Sequence, residues 1–148
     1  MKPRRSKATT LVALQFLLLA LLIVNPFAPL REIERTFTLT LYAIAAVILA
    51  SAAVALGSAL TASPIPKDDA DLVTTGIYKW IRHPMYTALI VIGLGLVLGT
   101  FNLFSLLTFT TLVMVLIYKS RYEDALLLER HKKAREYQNS TGRFFPKF

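Results

Sequence analysis

Three long uncharged runs set the pattern of the chain. The first covers residues 8–30, with its apolar heart at 11–24. The second covers residues 36–66, and its apolar part, 37–60, is 24 residues long. The third, residues 83–118, is broken only by Gly99-Thr-Phe-Asn102, a turn-forming tetrapeptide. A helix needs about 20 apolar residues to cross a bilayer core. The first two runs therefore predict one spanning helix each. The third is too long for one span and predicts a hairpin of two arms. Each arm has about 16 residues and is about 24 Å long at the helical rise. A bilayer core is about 30 Å thick, so local thinning or snorkelling ends are expected, with a re-entrant hairpin as the alternative.

The breaks between runs are equally legible. Asn25, Pro26 and Pro29 end the first helix, and Arg31, Glu32, Glu34 and Arg35 form a loop without net charge. Ser63-Pro-Ile-Pro66 ends the second, and residues 67–79 form a polar loop. Ala-rich composition with Ser51, Gly57 and Ser58 in the second helix, and Gly93-Leu-Gly95 in the third, read as close helix packing in lipid. Beyond Lys119 an apolar stripe of Tyr122 and Leu126 to Leu128 opposes a polar face of Lys119, Glu123 and Arg130. That pattern predicts a helix leaving the membrane or lying on its surface. The tail Arg143-Phe-Phe-Pro-Lys-Phe148 mixes basic and aromatic residues, as interfacial anchors do. The expected fold is therefore all-α and integral to the membrane, one domain over residues 1–148. It has about four transmembrane helices (about 8–28, 36–62, 84–99 and 103–130), a C-terminal hairpin and a cytosolic amphipathic tail helix.

Composition agrees. Hydrophobic residues make up 55% of the 148, and the mean hydropathy is +0.53. The net charge of +8 would suggest nucleic acid in a soluble protein. Here basic flanks of membrane helices beside anionic headgroups explain it, and no nucleic-acid partner is expected. The basic start followed by an apolar run resembles a signal peptide, but it lacks a small-residue cleavage motif, so a retained first helix is expected. Lys and Arg divide unevenly. Four precede residue 8, three lie at positions 67, 79 and 82, and eight follow Tyr118, against two between the first helices. With four spans this is fifteen against two, which places both termini in the cytosol.

The chain has no cysteine, which removes disulfides, thiol nucleophiles and thiolate metal sites. His83 and His131 are its only histidines, so a histidine-rich metal site is not available. It has no G-x-S-x-G, P-loop or dinucleotide glycine motif in the required context. A hairpin brings its two outer ends together, so residues 76–86 should meet residues 118–124. Those segments hold Arg82, His83, Lys119, Arg121, Glu123 and Asp124. Each has a plain structural reading: Arg82 and Lys119 as snorkelling cations, His83 as a hydrogen-bonded helix start, Pro84 as ordinary first-turn proline, the acids as solvated surface. Spacing alone names no reaction.

The string Leu72-Val-Thr-Thr-Gly-Ile-Tyr-Lys-Trp-Ile-Arg-His-Pro-Met-Tyr86 resembles the signature of the isoprenylcysteine carboxyl methyltransferase family and its phospholipid methyltransferase relatives. In that family an L-V-x-x-G-x-Y segment leads into R-H-P-x-Y, then a hydrophobic hairpin, then paired acids. Here the acids are Glu123-Asp124, and Phe144-Phe-Pro146 resembles the family's end. The similarity runs through residues 63–146. It implies a membrane methyltransferase using S-adenosyl-L-methionine, with a membrane lipid or small hydrophobic molecule as acceptor. By the same resemblance, Leu72, Val73, Tyr78, His83, Pro84, Tyr86 and Glu123 would hold the cofactor. His83, Tyr86 and Glu123 would be the catalytic group, and Lys119 or Arg121 would contact substrate. No metal is implied. The chain departs from the family at Asp124, where Glu is usual. It departs again at His131-Lys-Lys-Ala-Arg135, which replaces a glycine-containing spacing, and it lacks the extra amino-terminal helices of the longer enzymes. Those departures keep open a non-catalytic assembly or scaffold protein of the same fold. A relative of the sterol reductases, using a nicotinamide, is the third reading.

Overall fold

A computed structural model of the protein describes residues 2–25, 32–66 and 71–147. Five α-helices account for most of them: α1 (Lys2–Ile23), α2 (Glu32–Leu56), α3 (Pro84–Thr100), α4 (Leu103–Arg130) and α5 (Ala134–Ser140). Single turns of 3-10 helix lie at Gly57–Ala59 and Gly76–Lys79. β pairing among the described residues is limited to an isolated parallel bridge between Ile81 and Gly142. Helices α1, α2 and α4 are long and apolar enough to cross a membrane, and α3 is a shorter apolar helix of 17 residues. The protein is an all-α integral membrane protein.

The helix ends differ from the uncharged runs for local reasons. α1 starts at Lys2 rather than near residue 8, since Lys and Arg are good helix formers and an uncharged run marks lipid-facing length, not helix length. It stops at Ile23 rather than near 28, because Asn25 precedes a proline and that position disfavours the helical region. Pro26, Pro29, Arg31 and Lys67 lie outside the described residues. α2 starts at Glu32 and stops at Leu56, short of 62, where Gly57 takes a φ of +49°. A left-handed glycine is a common helix terminator. The hairpin turns at Phe101 and Asn102. Asn102 Oδ1 accepts from the Ser105 amide at 2.8 Å, and Ser105 Oγ accepts from the Asn102 amide at 3.2 Å, a reciprocal cap that starts α4. From there α4 runs unbroken for 28 residues, about 42 Å at the helical rise. Its last turns thus project beyond the apolar layer.

The packing order follows from side-chain pairs. α1 runs antiparallel to α4. Arg4 Nη1 meets Glu129 Oε2 at 2.8 Å, the Lys7 ammonium lies 4.9 Å and 5.1 Å from the Tyr118 and Tyr122 ring centres, and Lys119 Nζ donates to Gln15 Oε1 at 2.6 Å. α2 packs most extensively on α3, where Thr38 Oγ1 donates to the Gly95 carbonyl at 3.3 Å. A Cβ on Gly95 would lie 2.8 Å from the Tyr42 ring, and one on Gly93 would lie 2.8 Å from the Phe109 ring. The two glycines therefore let α3 approach α2 on one side and α4 on the other.

The pattern along α2 is inside out. Thr38, Ala45 and Ala52, seven residues apart, are buried, while Val47 and Val54 are 67% and 83% exposed. Small residues inward and large apolar ones outward suit a helix whose outer solvent is lipid. The core itself sits between α1, α3 and α4 around Leu11, Leu18, Leu22, Tyr86, Val97, Leu112 and Leu116. Arg130 Nη1 donates to the Pro66 carbonyl at 2.8 Å, and the Arg82 amide donates to the Gly142 carbonyl at 2.9 Å. The start of α1, the segment before α3 and the C-terminal segment therefore gather at one end of the bundle.

Candidate active site at the polar end of the hairpin

Pro84 fixes the first turn of α3 and leaves His83 as the residue before it. His83 and Tyr86 are three apart, so their rings fall on one face of that turn. They stack with centroids 5.3 Å apart and planes within 1°. The same face meets Glu123 and Asp124 on α4. Tyr86 Oη donates to Glu123 Oε2 at 2.6 Å. His83 Nε2 lies 2.9 Å from Asp124 Oδ1, and its Nδ1 lies 3.6 Å from Glu123 Oε2. The two neighbouring acids thus divide one imidazole between them.

Burial opposes the charged form of His83, but the hydrogen bonds and charges of Asp124 and Glu123 outweigh it, so its pKa is raised. An unfolded histidine titrates at about 6.5. The stabilisation from this imidazolium is therefore complete below that value and fades as pH rises through the higher folded value. Thermal unfolding in detergent should show a midpoint that falls with pH from about 6.5 upward. A His83→Gln variant should flatten that slope; an equal slope in the variant would remove His83 as its source.

A C-terminal strap closes over this turn. The His83 amide donates to the Arg143 carbonyl at 3.0 Å, the Gly142 amide to the Trp80 carbonyl at 3.2 Å, and Thr87 Oγ1 to the Phe144 carbonyl at 2.8 Å. Asp124 Oδ2 accepts from Arg143 at 3.0 and 3.2 Å, and its backbone carbonyl accepts from Gln138 Nε2 at 2.9 Å. The Arg82 guanidinium donates to the Gln138 carbonyl at 2.6 Å and to the Thr141 carbonyl. Tyr137 on α5 donates to the Tyr78 carbonyl at 2.7 Å. Burial raises the pKa of both phenols, first among the causes at each, which keeps both neutral and leaves Tyr137 its proton to donate. At Gly142 a Cβ would fall 1.6 Å from the Phe145 carbonyl oxygen. Gly142→Ala must therefore displace backbone, at a cost of about 1–3 kcal/mol. Hydrogen exchange should show the amides of Arg82, His83 and Gly142 losing protection in that variant.

The turn, the strap and the loop after α2 enclose a cleft of about 760 Å³, open solvent at its mouth included. Leu72, Val73, Tyr78, Arg82, His83, Tyr86 and Glu123 all line it, so seven of the residues singled out in the sequence come together around one cleft. Pro84 does not line it; it is fully buried behind the turn it shapes. Lys119 is also away from the wall. It is 1% exposed, donates to Gln15 Oε1 and to the Ala62 carbonyl at 2.9 Å, and holds its ammonium 4.9 Å from the Tyr86 ring centre. Arg121 is exposed and outside the cleft.

Sequence reasoning missed Asp71, Ser63, Met85, His131 and Tyr137, which also line the cleft. Asp71, beside Leu72, carried a signal in its position next to the motif. His131, at the end of α4, and Tyr137 carried none; only the fold of the strap brings Tyr137 back to Tyr78.

No curated protein matches the chain. A family model described as phospholipid methyltransferase matches residues 33–134. That stretch takes in α2, the turn at His83, the hairpin and both acids of α4, which is the frame of the cleft, and it stops before most of the strap. It covers more than two thirds of the sequence. The chain therefore belongs to the phospholipid methyltransferase family, a family of membrane methyltransferases.

Proposed function

We propose that the protein transfers a methyl group from S-adenosyl-L-methionine to a lipid-like or small hydrophobic acceptor at the cytosolic face of a membrane. The observation that carries this reading is the joining of Glu123, Tyr86 and His83 on the wall of one cleft at the polar end of an apolar hairpin. The cofactor has a cationic sulfonium, a zwitterionic amino-acid end and a flat nucleoside. The cleft offers matching chemistry: the carboxylates of Glu123 and Asp71, the hydroxyls of Thr61 and Ser63, and the apolar surfaces of Leu72, Val73 and Met85. The residues present therefore fit the group.

When bound, the cofactor supplies a methyl already activated on sulfur. The chain's own work is then position and electrostatics. Glu123 places a carboxylate on the cleft wall, and the Tyr86 hydroxyl fixes its orientation. Asp124, engaged with His83 Nε2 and Arg143, leaves His83 Nδ1 directed toward Glu123. A carboxylate acceptor needs no base. For an amine or thiol acceptor, the Glu123 carboxylate or the neutral form of His83, through Nδ1, takes the proton. The shorter arm of Asp124 is taken up entirely by strap and turn, so it does not weigh toward a scaffold without activity.

The cytosolic placement rests on the fifteen-to-two division of Lys and Arg. The polar cofactor then arrives from water and the acceptor from the bilayer. The test is methyl-labelled cofactor incubated with membrane lipid extract, with and without the purified protein, read by mass spectrometry of the lipid phase. Calorimetry measures cofactor binding alongside. Label in a lipid-phase product supports the reading. A folded protein that binds no cofactor sinks it.

A further inference from the structure

Glu123, Leu127 and His131 follow one another at intervals of four along α4, and all three line the cleft. Residues four apart are neighbours on a helix surface, so the three form one stripe. At the helical rise that stripe is about 12 Å long. His131 caps α4 and is still on the helical path, because its amide donates to the Leu127 carbonyl at 2.9 Å. The stripe has a direction. Glu123 lies toward the apolar hairpin, and His131 lies at the end that projects beyond the apolar layer.

Most polar side chains around the cleft are already engaged. Arg82 holds the strap, His83 lies between the two acids, and Tyr137 donates to the Tyr78 carbonyl. The His131 ring is partly buried and takes no hydrogen bond among the described residues. It is a flat polar ring beside the apolar Leu127, at the water-facing end of a cleft whose other end carries a carboxylate. A ring in such a place offers a stacking face to a heterocyclic base. The cofactor has the matching length. Its sulfonium and its purine are joined through a ribose, about 6–8 Å from sulfur to base, and the purine adds about 5 Å, by bond lengths near 1.5 Å. Carboxylate and ring are therefore as far apart on the stripe as cation and base are in the molecule.

We propose that His131 stacks on the purine of S-adenosyl-L-methionine, so that the cofactor lies along α4 with its nucleoside at the water-facing end and its methyl beside Glu123, toward the bilayer. This rests on the methyl-transfer reading above and adds to it a binding residue and a direction. The direction has a consequence for the acceptor: the reacting end of the cofactor faces the side from which a lipid-like molecule arrives. His131 stands in the stretch that departs from the family's spacing, so the contact is one that the motifs do not supply.

The test takes the cofactor apart. Equilibrium dialysis of the full chain in detergent measures three labelled probes separately: S-adenosyl-L-methionine, 5′-methylthioadenosine, which is the nucleoside without the charge or the amino-acid end, and S-methylmethionine, which is the cation and amino-acid end without the nucleoside. His131→Ala should weaken the first two about tenfold, the usual worth of one stacking face, and leave S-methylmethionine unchanged. Glu123→Gln should show the reverse pattern on the two fragments. His131→Phe keeps a flat face and should restore most of the lost affinity. Lys132→Ala, at an exposed neighbour outside the cleft, should change no probe. A partly exposed ring at a helix end is removed without opening a core cavity, and circular dichroism melts check that the variants fold. Unchanged 5′-methylthioadenosine binding in His131→Ala overturns the proposal. So does an equal loss of both fragments, or a His131→Phe as weak as His131→Ala. Those results leave the methyl-transfer reading standing. A folded wild-type protein that binds none of the three probes sinks that reading and this one together.

Discussion

Asp124→Ala should lower the unfolding free energy by about 3–5 kcal/mol, the usual cost of removing one partner from a buried ionic cluster. The side chain of Asp124 is 6% exposed and faces His83 at 2.9 Å, Arg143 at 3.0 Å and Arg82 Nε at 3.5 Å. Its removal leaves the Arg82 guanidinium without its carboxylate, leaves His83 only Glu123 at 3.6 Å, and breaks the tie from Arg143 of the strap to α4. Arg143→Gln is the contrast. That guanidinium is 32% exposed, water can replace its partner, and a cost nearer 1 kcal/mol is expected. Circular dichroism melts of both variants in the same detergent decide the matter. If the two lose equally little, Asp124 is not the hub of the polar end. Asp124→Glu adds one C–C bond, about 1.5 Å, to a carboxylate already seated on two elements. It should cost stability through crowding rather than through lost charge.

This role explains why the sequence stopped short at Asp124. Its position beside Glu123 was legible, and so was the juxtaposition of residues 76–86 with residues 118–124, since a hairpin must bring its outer ends together. The apolar runs were equally legible, because lipid as solvent leaves little choice but helix for them. What the sequence did not disclose is the division of labour between the acids. Adjacent residues on a helix point about 100° apart, so Glu123 turns to the cleft and Asp124 to the strap. Which acid takes which direction depends on the rotation of α4, and the pairs Lys119 to Gln15 and Arg4 to Glu129 set that rotation against α1. Lys119 was opaque for the same reason. A cation directly after an apolar run reads as snorkelling, and only the arrival of Gln15 and the Ala62 carbonyl makes Lys119 a buried cross-link. The strap was the least legible part. Three of its hydrogen bonds are backbone to backbone, and most of the rest end on a backbone carbonyl, so few of them leave a paired residue type to read.

Glu123→Gln should weaken cofactor binding about tenfold to a hundredfold while leaving the melt nearly unchanged. The amide keeps the shape of the carboxylate and loses the charge, and hydrogen bonds to a charged group are worth about 1.5–3 kcal/mol. The side chain is 27% exposed, so no buried charge is stranded elsewhere by the change. Tyr86→Phe removes the hydroxyl that fixes Glu123 at 2.6 Å and keeps the ring stacked on His83. It should cost about tenfold in the wild-type background. Because the hydroxyl acts through the carboxylate, the same substitution in a Glu123→Gln background should cost much less, and the two losses should not add. Calorimetric titration of the four proteins with S-adenosyl-L-methionine and labelled methyl transfer into lipid give independent readings of that cycle. Additive losses would falsify the chain from Tyr86 through Glu123 to the cleft. Tyr86 would then meet the ligand on its own account.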